Sequence, residues 1–177
     1  MHAVHAVHFK IYNLSFTMKP RGLRNNNPLN IRHGHSQWQG TTEAQTDWEF
    51  VCFMTMGMGY RAAWKILQTY YESLPKMGKI FCLYQIIHRW APPEDNNDTS
   101  AYLHQVIKLT GQAGMQALPE PRTEAGYKTL LPIIVAMTCV ENGIKAEEVP
   151  TLHIEEGWKL AFPDAKMQRC KNCTAAP

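Results

Sequence analysis

The chain has 177 residues, 19% of them charged and 45% hydrophobic. That composition fits a soluble globular protein, and the length allows one domain with a real core. The net charge is a mild +3, and the basic residues are scattered apart from Arg21, Arg24 and Arg32, so the clustered footprint of a nucleic-acid partner is missing. No apolar run approaches the roughly 18 residues of a membrane span, so no membrane partner is expected.

Residues 2–9 alternate His with Ala-Val and carry neither a positive n-region nor a long apolar core, so no signal peptide is expected. They read as a disordered leader over 1–18, with Met18 an alternative start. The organised domain is expected over 19–163, and residues 164–177 as a flexible tail. Five cysteines leave an odd one, which points to a reducing compartment and no disulfide framework. Cys52, Cys82 and Cys139 lie in apolar contexts and read as buried thiols. Cys170 and Cys173 have metal-ligand spacing but lack a second pair, so neither metal nor cofactor is expected.

The first organised stretch is Arg21-Gly22-Leu23-Arg24-Asn25-Asn26-Asn27-Pro28-Leu29-Asn30-Ile31-Arg32. Its asparagines compete for backbone partners and tolerate left-handed geometry, and Pro28 biases Asn27 toward extended backbone. The stretch therefore reads as a folded loop rather than a helix or a core strand. It presents amides and guanidinium groups suited to a neutral, hydroxyl-rich ligand. The same residues could equally bond only the chain's own backbone. Gly34 and Gly40 then punctuate turns around Trp38, which is either a core anchor or a platform for a sugar ring. Residues 50–53 read as a short strand or packed turn.

Apolar spacing predicts a first helix over 60–74, with Tyr60, Ala63, Trp64, Leu67 and Leu74 on one face. A second is predicted over 79–90, with Ile80, Leu83, Tyr84, Ile87 and Trp90 together. A third, capped by Asp98 or Thr99, runs to Thr110 before Gly111, with Tyr102, Leu103, Val106 and Leu109 inward. A fourth spans 123–142, with Pro132 implying a kink or a broken first turn. A last helix covers 151–162. The expected fold class is mainly α, a single helical domain with a small irregular or β-containing N-terminal lobe.

The fourth helix carries the chemistry. Tyr127, Leu130, Leu131, Ile134, Met137 and Thr138 share a face, and the next step of that template falls on Glu141. A carboxyl on an apolar face at the negative end of a helix has its pKa raised by both effects. A carboxyl still protonated near neutral pH can act as general acid toward a glycosidic oxygen. The bland alternative turns Glu141 to water. Asp47 and Glu49 flank Trp48 and alternate, so a strand would aim both the same way. Glu43, Glu94, Asp95 and Asp98 are further acidic candidates. Glycosidases with paired carboxyls need a defined separation, whereas a lytic transglycosylase needs a single acid. No phosphate-binding loop, nucleophile elbow or His-Glu-x-x-His is present.

The 21–32 stretch closely resembles the R-G-I-R-N-N-N-P-G-N-I-R opening of a family of phage and prophage virion structural proteins. The likeness continues through Trp38-Gln39-Gly40, Gln45-Thr46-Asp47, Glu49-Phe50, Gly59-Tyr60-Arg61-Ala62, the I-H-R-W-A-P-P block over 87–93, Asn97-Asp98-Thr99 with Tyr102, and Glu141-Asn142-Gly143. It covers about residues 20–162. Leu29 departs from the family's usual glycine. A weaker likeness is to the N-L-F-G-I-K, W-x-G and T-x-E blocks of autolysin-type glucosaminidases, of the lysozyme-like superfamily. These carry their acid on a helix just before N-L-F-G, where residues 1–24 hold no Asp or Glu. Val140-Glu141-Asn142-Gly143 looks like that acid block moved to the far end of the chain.

The resemblance thus implies a circularly permuted, α+β lysozyme-like fold. It implies a phage or prophage enzyme that cleaves peptidoglycan, as glycosidase or lytic transglycosylase, with Glu141 as general acid and Asp47 or Glu49 steadying the cation or holding water. Arg24, Asn25, Asn26, Asn27, Asn30, Arg32, Trp38, Trp90 and Tyr102 would bind substrate. Glycan strands and other virion proteins are the implied partners. Synthesis would be in the bacterial cytoplasm and action in the virion or at the cell wall. The alternative implied by the virion family is a non-catalytic structural or cell-wall-binding protein that keeps the groove.

Overall fold

A computed structural model describes residues 19–165. The expected leader, the Cys170/Cys173 pair and almost all of the expected tail lie outside those residues. Six α-helices are present among them: α1 (Arg21–Arg24), α2 (Met56–Ser73), α3 (Leu83–Trp90), α4 (Thr99–Thr110), α5 (Glu124–Asn142) and α6 (Thr151–Ala161). Strand pairing among the described residues is limited to isolated antiparallel bridges, Arg32 with Phe50, Thr41 with Phe53, and Cys82 with Ala117. The molecule is a mainly helical domain, as the apolar periodicity predicts.

Helix boundaries follow the local chemistry. Thr55 caps α2 by accepting from the Met58 N–H at 3.2 Å. The helix therefore starts four residues before the predicted Tyr60 and takes in Gly57 and Gly59, which precede the predicted start. The predicted second helix is shorter than its periodicity suggests. Pro75–Met77 form a 3₁₀ turn, Gly78 is left-handed at φ 68°, and α3 begins only at Leu83. Ile80 is consequently outside the helix and half exposed, and Tyr84 is turned outward, while Leu83, Ile86 and Ile87 are buried. Asp98 caps α4 and Thr123 caps α5, each by accepting a backbone N–H three residues on. Gly111 and Gly143 close those helices in left-handed conformation. Helix α5 continues through Pro132, which lies on its exposed side, and no first turn is broken.

The core is continuous. Trp64 and Trp158 are its largest buried side chains, and each indole N–H is satisfied by a backbone carbonyl, of Ile154 at 3.1 Å and Pro121 at 2.9 Å. Helices α2 and α6 approach closely because Gly157 has no side chain; a Cβ there would come within 2.6 Å of the Tyr60 Cβ. From α5, Leu130, Ile133, Ile134 and Met137 are fully buried. Leu109, expected inward on α4, is half exposed, and Tyr102 and Val106 carry that face. Cys52, Cys82 and Cys139 are buried free thiols.

The N-terminal lobe, residues 25–55, lacks a continuous ladder and is held by scattered backbone bonds together with side chains. Residues 50–53 form its spine. The Val51 N–H donates to the Ile31 carbonyl at 3.0 Å, and the Phe53 N–H to the Asn25 carbonyl at 2.9 Å. Leu29, Ile31, Val51 and Phe53 are buried and join the helical core. The Arg21–Arg24 turn is helical, a departure from the all-loop expectation. It ends at Asn25, whose N–H donates to the Arg21 carbonyl, before the left-handed Asn26.

Candidate functional site

The asparagine run divides its labour. Asn27 is completely buried, and its amide is used up locally. Its Oδ1 accepts from the Ile31 N–H at 2.8 Å, and its Nδ2 donates to the carbonyls of Ile31 and Val51. Asn26, left-handed at φ 51°, donates to the carbonyls of Phe53 and Met54. Asn25 donates to Asp47 at 2.8 Å. Asn30, also left-handed at φ 49°, reaches across the chain to Glu141. Of the four, Asn30 is the one whose amide is directed at the carboxyl singled out in sequence. Arg24 is exposed on α1.

Glu141 occupies the last turn of α5. Its Oε2 accepts from Asn30 Nδ2 at 2.9 Å, and its Oε1 accepts from the Tyr102 hydroxyl at 2.9 Å. Burial pushes its pKa above the ordinary carboxyl value, while Asn30, Tyr102, the Trp90 indole and the charge of Arg32 pull it partly back. Tyr102 is itself buried, and burial beside Glu141 holds its phenol well above the usual value, so it stays a neutral donor. Trp90 also donates to the Leu29 carbonyl at 3.2 Å, pinning α3 to the loop.

Gly22 explains how the loop comes so near. Its Cα faces three oxygens, and a Cβ there would lie 2.7 Å from Asn142 Oδ1, 2.7 Å from Asn30 Oδ1 and 2.8 Å from the Asn27 carbonyl. The two side-chain oxygens have no conventional donor, and the glycine Cα–H groups lie against them. The Asn142 amide donates to the Pro28 carbonyl at 2.7 Å, which sews the end of α5 to the loop.

A groove of about 390 Å³ opens beside this cluster. Asn30, Arg32, Trp38 and Trp90 line it, so three of the groups that act on Glu141 belong to its wall, while Glu141 and Tyr102 lie behind them. Trp38 is half-buried, packed on the core with part of its surface in the groove. Tyr70, Arg89, Pro92 and Asp95 line it as well. Tyr70 shares the apolar period of α2 and Arg89 precedes Trp90 in α3, so neither carries a local sequence signal for a groove. The guanidinium of Arg89 lies over the Tyr70 ring, 4.2 Å from its centroid.

Asp47 and Glu49 are placed differently. Arg21 grips Asp47 with two bonds of 2.6 Å and Glu49 with a third of 2.8 Å. Asp47 Oδ1 also accepts from the backbone N–H groups of Glu49 and Phe50. These partners hold the Asp47 carboxyl far below the usual carboxylate range and the Arg21 guanidinium above its own. Glu49 pairs in addition with Arg32 at 2.8 Å. Among the described residues, no cluster of three or more His, Cys, Asp or Glu is arranged to hold a metal, and no helix is long and apolar enough to cross a membrane.

No protein-family model matches the sequence. Protein P5 of Pseudoalteromonas phage PM2 is 41% identical to it over 126 residues, which cover 70% of this chain and 71% of that protein. A likeness of that extent and identity is one of common descent, and the chain belongs to the family of phage proteins that includes Protein P5.

Proposed function

We propose that the chain cleaves the glycan strands of peptidoglycan with Glu141 as general acid, in the manner of a phage or prophage lytic transglycosylase. The observation that carries this reading is the Glu141 carboxyl itself. It is raised in pKa by burial and lies against Asn30, Arg32 and Trp90, which wall the groove. The link between α5 and the asparagine loop is what a circularly permuted lysozyme-like domain would need. Asp47 is committed to Arg21, and Glu49 is shared by two arginines, which favours a route with a single acid.

In that route the protonated Glu141 gives its proton to the glycosidic oxygen as the bond from that oxygen to the sugar C1 breaks. Positive charge develops at the ring, and the leaving sugar departs as an alcohol. The Glu141 carboxylate then takes the proton of the sugar's own C6 hydroxyl, whose oxygen closes on C1 to form an anhydro end. Asn30 and Tyr102 hold the carboxyl in one orientation throughout. Asp95, on the groove's rim, is the candidate to steady the positive charge.

A second reading is favoured by one feature. Asn30 and Tyr102 each occupy one Glu141 oxygen, so the carboxyl can serve as a strut between loop, α4 and α5 in a non-catalytic virion or cell-wall-binding protein. Dye release from labelled insoluble peptidoglycan separates the two. The enzyme reading expects release by the wild type and none by Glu141→Gln. Equal release by both would remove Glu141 as the acid, and retention on peptidoglycan without release by the wild type would establish the second reading.

A further inference from the structure

Trp48 is 85% exposed, the most exposed of the large hydrophobic side chains among the described residues. An indole left in water has a cost, since burying a large aromatic is among the larger gains in folding. Yet this one stands on a firmly built turn. Asp47 accepts two backbone N–H bonds from the residues after it and a two-pronged grip from Arg21. The charged network around Asp47 therefore fixes the backbone on both sides of the indole.

The indole also connects to the groove. The Arg21 guanidinium lies 5.7 Å from the Trp48 ring centroid and 4.5 Å from that of Phe50. Arg32 lies 5.6 Å from the same Phe50 ring and is itself a wall of the groove. Aromatic and guanidinium planes thus follow one another from Trp48 to the groove, where Trp38 and Trp90 continue the series. The charges in this strip cancel, because Arg21 and Arg32 are paired with Asp47 and Glu49. A neutral, hydrogen-bonding strip with flat apolar faces matches a sugar chain, whose rings offer C–H faces and equatorial hydroxyls. A protein hot spot would instead set the indole among other apolar side chains. Here the neighbours in the chain, Glu43, Gln45 and Thr46, are polar and exposed.

We propose that Trp48 is an outlying stacking platform for the same glycan strand, with Asp47, Glu49 and Arg21 as its positioning residues. This rests on the glycan reading of the groove but not on cleavage. It gives the two carboxylates a task that keeps them charged and paired.

Sedimentation of the full chain with purified insoluble peptidoglycan tests it, alongside iodide quenching of tryptophan fluorescence with and without soluble glycan strands. Trp48→Ala is expected to weaken retention about three- to tenfold, as the loss of one stacking contact would. Trp48→Phe should restore part of it. Glycan should shield wild-type fluorescence from iodide, and at saturating glycan Trp48→Ala should lose the part of that shielding that belongs to the exposed indole while keeping the part from Trp38 and Trp90. Both variants should melt with the wild type, since the side chain is exposed. Unchanged retention and unchanged shielding in Trp48→Ala would overturn the proposal, as would a Trp48-dependent self-association with no effect of glycan. Glu141→Gln reports on cleavage separately. If the wild type binds through Trp48 yet releases no dye, cleavage fails and the platform stands; if it releases dye and Trp48→Ala binds as well as wild type, the reverse holds.

Discussion

Two carboxylate clusters lie on the loop side of the molecule, and their environments are opposite. Asp47 is surrounded by charge-assisted donors, and its proton is driven off. Glu141 is surrounded by an amide, a phenol and an indole, with Arg32 the positive charge acting on it, and burial favours its protonated form. Asp47, ionised and gripped by Arg21, has no proton to give. Glu141 retains a proton to higher pH and lies behind Asn30, Arg32 and Trp90, which line the groove. Residue type alone does not distinguish a strut from an acid; the charge state of the partners does.

The largest effect that could break this contrast is loss of the acid. Glu141→Gln keeps one acceptor for Tyr102 and should lower dye release by at least about 100-fold, the scale of general acid catalysis, while leaving the melting temperature close to wild type. Next comes Gly22→Ala, whose new methyl group would press on Asn30 Oδ1 and Asn142 Oδ1. A cost of about 2 kcal/mol is expected from such overpacking, read as a lower denaturant midpoint, with loss of activity as Asn30 shifts away from Glu141. Asp47→Ala removes the grip of Arg21 and the turn bonds of Glu49 and Phe50 at once. It should lower the melting temperature by several degrees and loosen the lobe, seen as faster hydrogen exchange at residues 47–53.

The pH dependence of stability should separate the clusters by sign. The folded pKa of Asp47 is depressed, so its contribution is complete above the ordinary value of 3.8 and is lost as pH falls below it. The folded pKa of Glu141 is raised, so the wild type should gain stability relative to Glu141→Gln as pH falls through that raised value toward 4.5, with no further gain below. Urea midpoints measured against pH for wild type, Glu141→Gln and Asp47→Ala would show it, and parallel curves for wild type and Glu141→Gln would refute the raised pKa. The smallest effect is that of Tyr102→Phe. Deleting the donor to Oε1 should raise the Glu141 pKa further and move the alkaline limb of the pH–rate profile upward, with little change in the maximum.

Much of the helical frame was legible because local chemistry sets it. The periods of α2, α4 and α5, the caps Asp98 and Thr123, and the left-handed Gly111 and Gly143 are all visible in short windows of sequence. The position of Glu141 on the inner face of α5 followed from the same period. What could not be read was pairing at a distance. Arg21 finds Asp47 26 residues away, and nothing local to 43–49 indicates that its carboxylates are neutralised. Asn27 looked like a ligand-facing amide because burial of a loop side chain depends on the segments that cover it, here Ile31 and Val51. Three further lining residues of the groove, Tyr70, Arg89 and Asp95, come from three separate segments, and only their packing brings them together.

The bond from Asn30 to Glu141 joins positions 111 residues apart. A ribosome making this chain completes the asparagine loop early and reaches Glu141 late. Until α5 has emerged and docked, the loop has no acid opposite it, whatever else has folded. A nascent or truncated chain that stops short of α5 would therefore lack the Glu141 side of this cluster altogether.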